Sequence, residues 1–111
     1  MEITTEQVAG ITVVYLRGEI KSSTSGEVMD SLVDLVKGGA TKLLLNMKDV
    51  GFISSAGLRS ILVASKLLKN SGGQMRLCNA NETVAKVLET SGFTSLVNMH
   101  SDESKAMAAF K

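Results

Sequence analysis

The sequence predicts an α/β fold, a mixed central β-sheet covered by about four α-helices and opened by an N-terminal β-hairpin. Three observations carry this prediction. Short β-branched or apolar runs alternate with stretches whose apolar residues recur at three and four. Glycine-containing turns punctuate the junctions, and the first two strand-like runs are separated only by a tight turn.

Glu2 to Gln7 is expected as an edge strand, with Val8-Ala9-Gly10 turning the chain into Ile11–Arg17, a run rich in β-branched and aromatic residues. Gly18-Glu19-Ile20-Lys21 is expected to leave the sheet, and Ser22-Ser23-Thr24-Ser25 to offer N-caps. From Gly26 to Lys37, Val28, Met29, Leu32, Val33, Leu35 and Val36 form one helical face, and Gly38-Gly39 ends it. Thr41–Met47 is short, apolar and bounded by turn residues, which predicts a central buried strand. After Lys48–Gly51, Leu58, Ile61, Leu62, Ala64, Ser65 and Leu68 share a helical face in a helix beginning at Ala56, broken at Asn70–Gly73. Gln74–Cys78 alternates as a strand. Ala80–Ser91 reads as a helix with Val84, Val87 and Leu88 inward, Ser95–Met99 as a last strand, and Lys105–Phe110 as a terminal helix.

A chain of 111 residues supports one hydrophobic core, so residues 1–111 are expected to form one domain. Twelve basic against eleven acidic residues, scattered along the chain, leave no basic stripe for nucleic acid. The apolar runs are far shorter than the roughly 20 residues of a membrane-spanning helix, and the N-terminus lacks the pattern of a secretory signal. No membrane association and a cytoplasmic location are therefore expected. Cys78, the only cysteine, has no metal-ligand spacing around it and reads as a small buried apolar residue. No metal or other cofactor is expected. The six methionines read as core filling, with Met29 and Met47 as possible contributors to contacts.

The distinctive stretch is Phe52-Ile53-Ser54-Ser55-Ala56-Gly57-Leu58-Arg59-Ser60, at the junction of a strand and a helix. A capping serine and a closely packed glycine would explain half of it. A hydrolase nucleophile would need glycine two residues before Ser55, where Ile53 stands, and would need His100, the only histidine, as its base. A phosphate-binding P-loop fails on spacing and on its lysine, because Leu58-Arg59 follows Gly57. The remaining reading is a serine exposed at a helix N-terminus for modification by another protein.

Asp49-Val50-Gly51-Phe52-Ile53-Ser54-Ser55-Ala56-Gly57-Leu58 resembles the signature of bacterial anti-sigma factor antagonists, the STAS domain family. Phe52, Ile53, Ser55, Ala56, Gly57 and Leu58 match the pattern, and Ser54 takes the place of its aspartate. Gly18-Glu19-Ile20-Lys21 is similar to the family's Gly-Glu-Leu-Asp, with Lys21 at the aspartate, and Gly72-Gly73 and Thr90-Ser91-Gly92-Phe93 also fit.

The resemblance implies a STAS-type fold and a non-enzymatic protein. Its unmodified form would bind a serine kinase/anti-sigma factor with a GHKL-type ATPase fold, and a serine phosphatase would reverse the modification. It places the phosphate on Ser55, with Ser54, Ser55, Ala56, Gly57 and Leu58 in the expected partner surface. Arg59 stands where the family often has glycine and falls four residues after Ser55, within expected reach of its phosphate. The exposed-looking Glu19, Lys21, Ser22 and Ser23 of the loop after the second strand are expected to extend the surface. The alternative within the family is a structural or scaffold subunit of a bacterial sensory assembly, never phosphorylated.

Overall fold

The computed structural model describes residues 1–110; Lys111, the last residue of the expected domain, lies outside them. Strand β1 (Glu2–Val8) pairs antiparallel with β2 (Ile11–Ile20) through the Ala9-Gly10 turn. Both turn residues have positive φ, the geometry of a two-residue type I′ hairpin, whose twist matches that of the strands it joins. Helix α1 (Ser22–Lys37) then crosses to β3 (Lys42–Ile53), α2 (Ser55–Asn70) to β4 (Gln74–Cys78), and α3 (Glu82–Thr90) with a 3-10 turn (Phe93–Ser95) to β5 (Asn98–His100). Helix α4 (Glu103–Ala109) ends the described chain. The sheet order is β1-β2-β3-β4-β5, with β2 to β5 parallel.

Two cores flank this sheet. The larger gathers Val14, Leu16, Leu43, Leu45 and Leu77 with Val28 and Leu32 of α1, Ile61, Ala64 and Leu68 of α2, and Val84 and Leu88 of α3. On the opposite face Ile11, Val13, Leu44 and Cys78 meet Ala106 of α4. Every second residue of a strand faces the same way, so β3, covered on both sides, becomes a continuous buried run from Leu43 to Met47. Glu103 fastens α4 down: its Oε1 accepts from the Tyr15 hydroxyl at 2.9 Å and from Asn46 Nδ2 at 3.1 Å. Burial pushes the neighbouring Cys78 thiol up to about 12, with the Glu103 and Asp102 carboxylates adding to the shift, so the thiol is protonated at neutral pH.

Several boundaries differ from the sequence expectations. The Gly18–Lys21 segment does not leave the sheet, because β2 continues to Ile20 and pairs with a β3 that runs on to Ile53. Irregular register near Tyr15/Arg17 and Gly18/Glu19 lets Val50 and Ile53 turn inward while Asp49, Gly51 and Phe52 stay exposed; this breaks the alternation that marks a strand in sequence. Helix α1 starts at Ser22 with Lys21 in the cap position, so none of the expected residues Ser22–Ser25 is its N-cap. Instead the Lys21 N–H donates to Thr24 Oγ1 at 2.9 Å, and the Thr24 hydroxyl donates to the Glu19 carbonyl at 2.7 Å. The expected strand Ser95–Met99 is a 3-10 turn followed by a strand shifted to Asn98–His100. Met47 is fully buried and offers nothing to a partner.

One contact sets where α2 begins. A Cβ placed on Gly57 would stand 2.5 Å from Ile20 Cγ2 and 2.7 Å from the Ile20 carbonyl oxygen, so only glycine lets the helix start this close to the end of β2. Gly57→Ala is expected to destabilise the fold by about 1–3 kcal/mol, the usual cost of overpacking, as read by denaturant unfolding. A second expectation concerns pH. Burial, and then the Arg76 guanidinium, whose Nη1 lies 3.1 Å from His100 Nε2, hold the His100 imidazole below its ordinary 6.5. The unfolded chain therefore binds that proton more readily. The stability His100 contributes is complete above pH 6.5 and is lost as pH falls through its lowered folded value. Unfolding of wild type and His100→Gln at about pH 7.5 and about pH 5 should show a smaller acid loss in the variant.

Candidate functional site

Parallel strands deliver their carboxyl ends to one edge of the sheet, and there the loops after β2 and β3 meet. The Ser54 N–H donates to the Ile20 carbonyl at 2.8 Å, tying the start of α2 to the end of β2. Ser60, one turn further, donates its hydroxyl to the Ser25 carbonyl of α1 at 3.0 Å and to its own Ala56 carbonyl at 3.1 Å. The loop after β4 joins the same edge, because Asn81 caps α3 and its Nδ2 donates to the Val50 carbonyl at 3.1 Å.

The two adjacent serines are not equivalent. Ser54 is the N-cap of α2: its backbone is extended, and its Oγ accepts from the Gly57 N–H at 3.2 Å. Ser55 is the first residue of the helix, with an exposed side chain. First-turn amides have no intrahelical acceptor, so the positive end of the helix dipole opens toward solvent at Ser55. Arg59 lies four residues on, exposed on the same helix. Helical side chains lean toward the N-terminus, which directs Arg59 back over the turn that carries Ser55.

Of the other expected site residues, Gly57 is buried, Ala56 and Leu58 are half-buried, and Glu19, Lys21, Ser22 and Ser23 are exposed on the adjoining loop and first turn of α1. Lys21 Nζ and Glu19 Oε1 stand 3.7 Å apart, both well exposed, and such a pair contributes little to stability. Two neighbours were not among the expected site residues. Phe52, 41% exposed beside Ser54, is a large apolar side chain at the rim of the site. Thr24 holds the Glu19–Lys21 loop in shape. The signal for Phe52 was its place among polar and glycine residues in a stretch expected to be a loop, where no core claims it.

Ser55 stands on an exposed surface. A cavity of about 330 Å3 opens beside the far half of α2, lined by Lys66, Lys69 and Leu96, and Ser55 does not line it. His100 pairs with Cys78, which stands level with Asn46, and Ile53 lies seven residues further along β3. That places His100 on the order of 20 Å from Ser55, at about 3.3 Å per strand residue, so it is not a base for that serine. No helix among the described residues is long and apolar enough to cross a membrane.

Comparison with known proteins bears on the family and the fold. The STAS domain model matches residues 2–106. A Bordetella bronchiseptica protein, BtrV, whose name describes an anti-sigma factor antagonist, is 32% identical over 111 residues, covering 100% of this chain and 96% of its own. The fold of a Thermotoga maritima protein named for the same role superposes with a TM-score of 0.92 at 24% identity, over 97% of this chain and 93% of the other. The Bacillus cell fate determinant SpoIIAA in its phosphorylated form superposes with a TM-score of 0.73 at 23% identity, over 96% of this chain and 97% of that one. The chain therefore belongs to the STAS domain family, among relatives named anti-sigma factor antagonists.

Proposed function

We infer that this protein is an anti-sigma factor antagonist switched by phosphorylation of Ser55, working as a binding protein without enzymatic activity of its own. In its unmodified form it docks on a serine kinase/anti-sigma factor with a GHKL-type ATPase fold. The kinase transfers a phosphoryl group to the Ser55 hydroxyl, and a phosphatase removes it. The observation that supports this best is the division between the serines: Ser54 Oγ is engaged in capping α2, whereas Ser55 is exposed at its first position. A relative of the same fold, SpoIIAA, exists in unphosphorylated and phosphorylated forms.

Electrostatics explains how one group releases a partner without unfolding the domain. A phosphoserine carries about −1.5 to −2 charges at neutral pH, which the positive end of α2 tolerates. An interface formed around a neutral hydroxyl does not, because the dianion must be desolvated there without a built counter-charge. A penalty of about 2–5 kcal/mol lowers affinity roughly 30-fold to several thousandfold. The docking surface comprises Ser54 to Arg59, with Glu19, Lys21, Ser22 and Ser23 on the adjoining loop and Phe52 as an apolar anchor at the rim.

Two outcomes follow. In a pull-down from the native host, Ser55→Ala should retain a kinase-fold partner that Ser55→Asp releases; equal retention by both variants would favour an unphosphorylated scaffold subunit. In the phosphorylated protein, Arg59 beside the phosphate favours its dianion and so lowers the second phosphate pKa. Phosphorus NMR titration of Arg59→Ala should show that pKa rising, and an unchanged value would remove Arg59 from the site.

A further inference from the structure

Helices α1 and α2 lie side by side on the same face of the sheet and, as crossovers between parallel strands, run in the same direction. Their outward faces carry opposite charge. Helix α1 presents Glu27, Asp30 and Asp34, all exposed, with Lys37 only in its last turn. Helix α2 presents Arg59, Lys66 and Lys69, all exposed, and contains no acidic residue. Asp30, Asp34, Arg59, Lys66 and Lys69 take part in no ion pair among the described residues.

The reason is an apolar seam between the two charged rows. The Ser60–Ser25 hydrogen bond joins the two helices at one level, and helical spacing puts Met29 and Val33 of α1, and Val63 and Leu67 of α2, on the successive turns that follow. Met29 and Val33 are half-buried, and Val63 and Leu67 are 37% and 40% exposed. An acidic row, an apolar seam and a basic row form a self-complementary pattern. A twofold axis parallel to the seam lays α1 of each copy over α2 of the other, which sets acid against base twice and seam against seam.

We propose that the α1/α2 face is an interface between two copies of this chain, formed by Asp30 and Asp34 of one copy facing Lys66 and Lys69 of the other across the Val63–Leu67 seam. Two 16-residue helices, each about 24 Å long and about 10 Å apart, offer a footprint of roughly 500 Å2. That is below the roughly 800 Å2 per partner of a standard interface, so the dimer is weak and appears at high protein concentration. It does not depend on phosphorylation of Ser55.

Sedimentation equilibrium of the full chain should show mass rising toward two chains with concentration, and this association should weaken in about 1 M salt, where the Debye length is about 3 Å. Lys66→Glu/Lys69→Glu and Asp30→Lys/Asp34→Lys change only exposed residues and should keep the wild-type circular dichroism. Each alone places like charges together and should raise the dissociation constant more than about tenfold. Mixed in equal amounts they regain opposite rows and should form a heterodimer at least as tight as the wild-type pair. A wild type that stays monomeric at all concentrations, variants that dimerise unchanged, or a mixture of folded variants that fails to associate would each overturn the proposal.

Discussion

The structure of the site depends on the approach of α2 to the end of β2. Gly57 sits where any side chain would enter Ile20, and the Ser54 amide closes the gap with a hydrogen bond to the Ile20 carbonyl. β2 and β3 run on together to Ile20 and Ile53, both buried in the larger core, and the loops that follow them are held side by side. A helix starting farther from β2 would leave Ser54 without its carbonyl partner. The loop carrying Glu19 and Lys21 would then be separated from Ser55.

The same junction assigns different physical roles to neighbouring residues. Capping requires an oxygen turned back toward the helix amides, and Ser54 supplies it; the next residue is then the first of the helix and faces water. The family's aspartate would cap equally well but would stand as a fixed negative charge beside the serine that follows. With Ser54 there, the positive end of α2 and Arg59 are the local electrostatic features near Ser55 that a phosphate would meet.

Most of the fold was legible in the sequence because burial writes a periodicity. The helices from Val28 to Val36 and from Leu58 to Leu68, and the continuous run Leu43–Leu45, lie under or within a core that demands apolar residues at fixed intervals. What the sequence hid lies where that demand lapses. The tail of β3 is exposed at Asp49, Gly51 and Phe52 and irregular in register, so it reads as a loop. Helix α1 begins with four small polar residues that have no apolar face, and Thr24 rather than a serine organises its start. At the site, Ser55 and Gly57 stood out by motif and spacing. The roles of Thr24, Ser60 and Asn81 rest on hydrogen bonds between segments distant in sequence, which no local pattern records.

The proposed switch rests on Ser55 as the modified group. Incubation of the protein with ATP and its cognate kinase, followed by mass spectrometric localisation of phosphate, tests this most directly. A single phosphate on Ser55 is expected, with Ser54 unmodified and incorporation abolished in Ser55→Ala. Phosphate on Ser54, or persistent incorporation in Ser55→Ala, would contradict it.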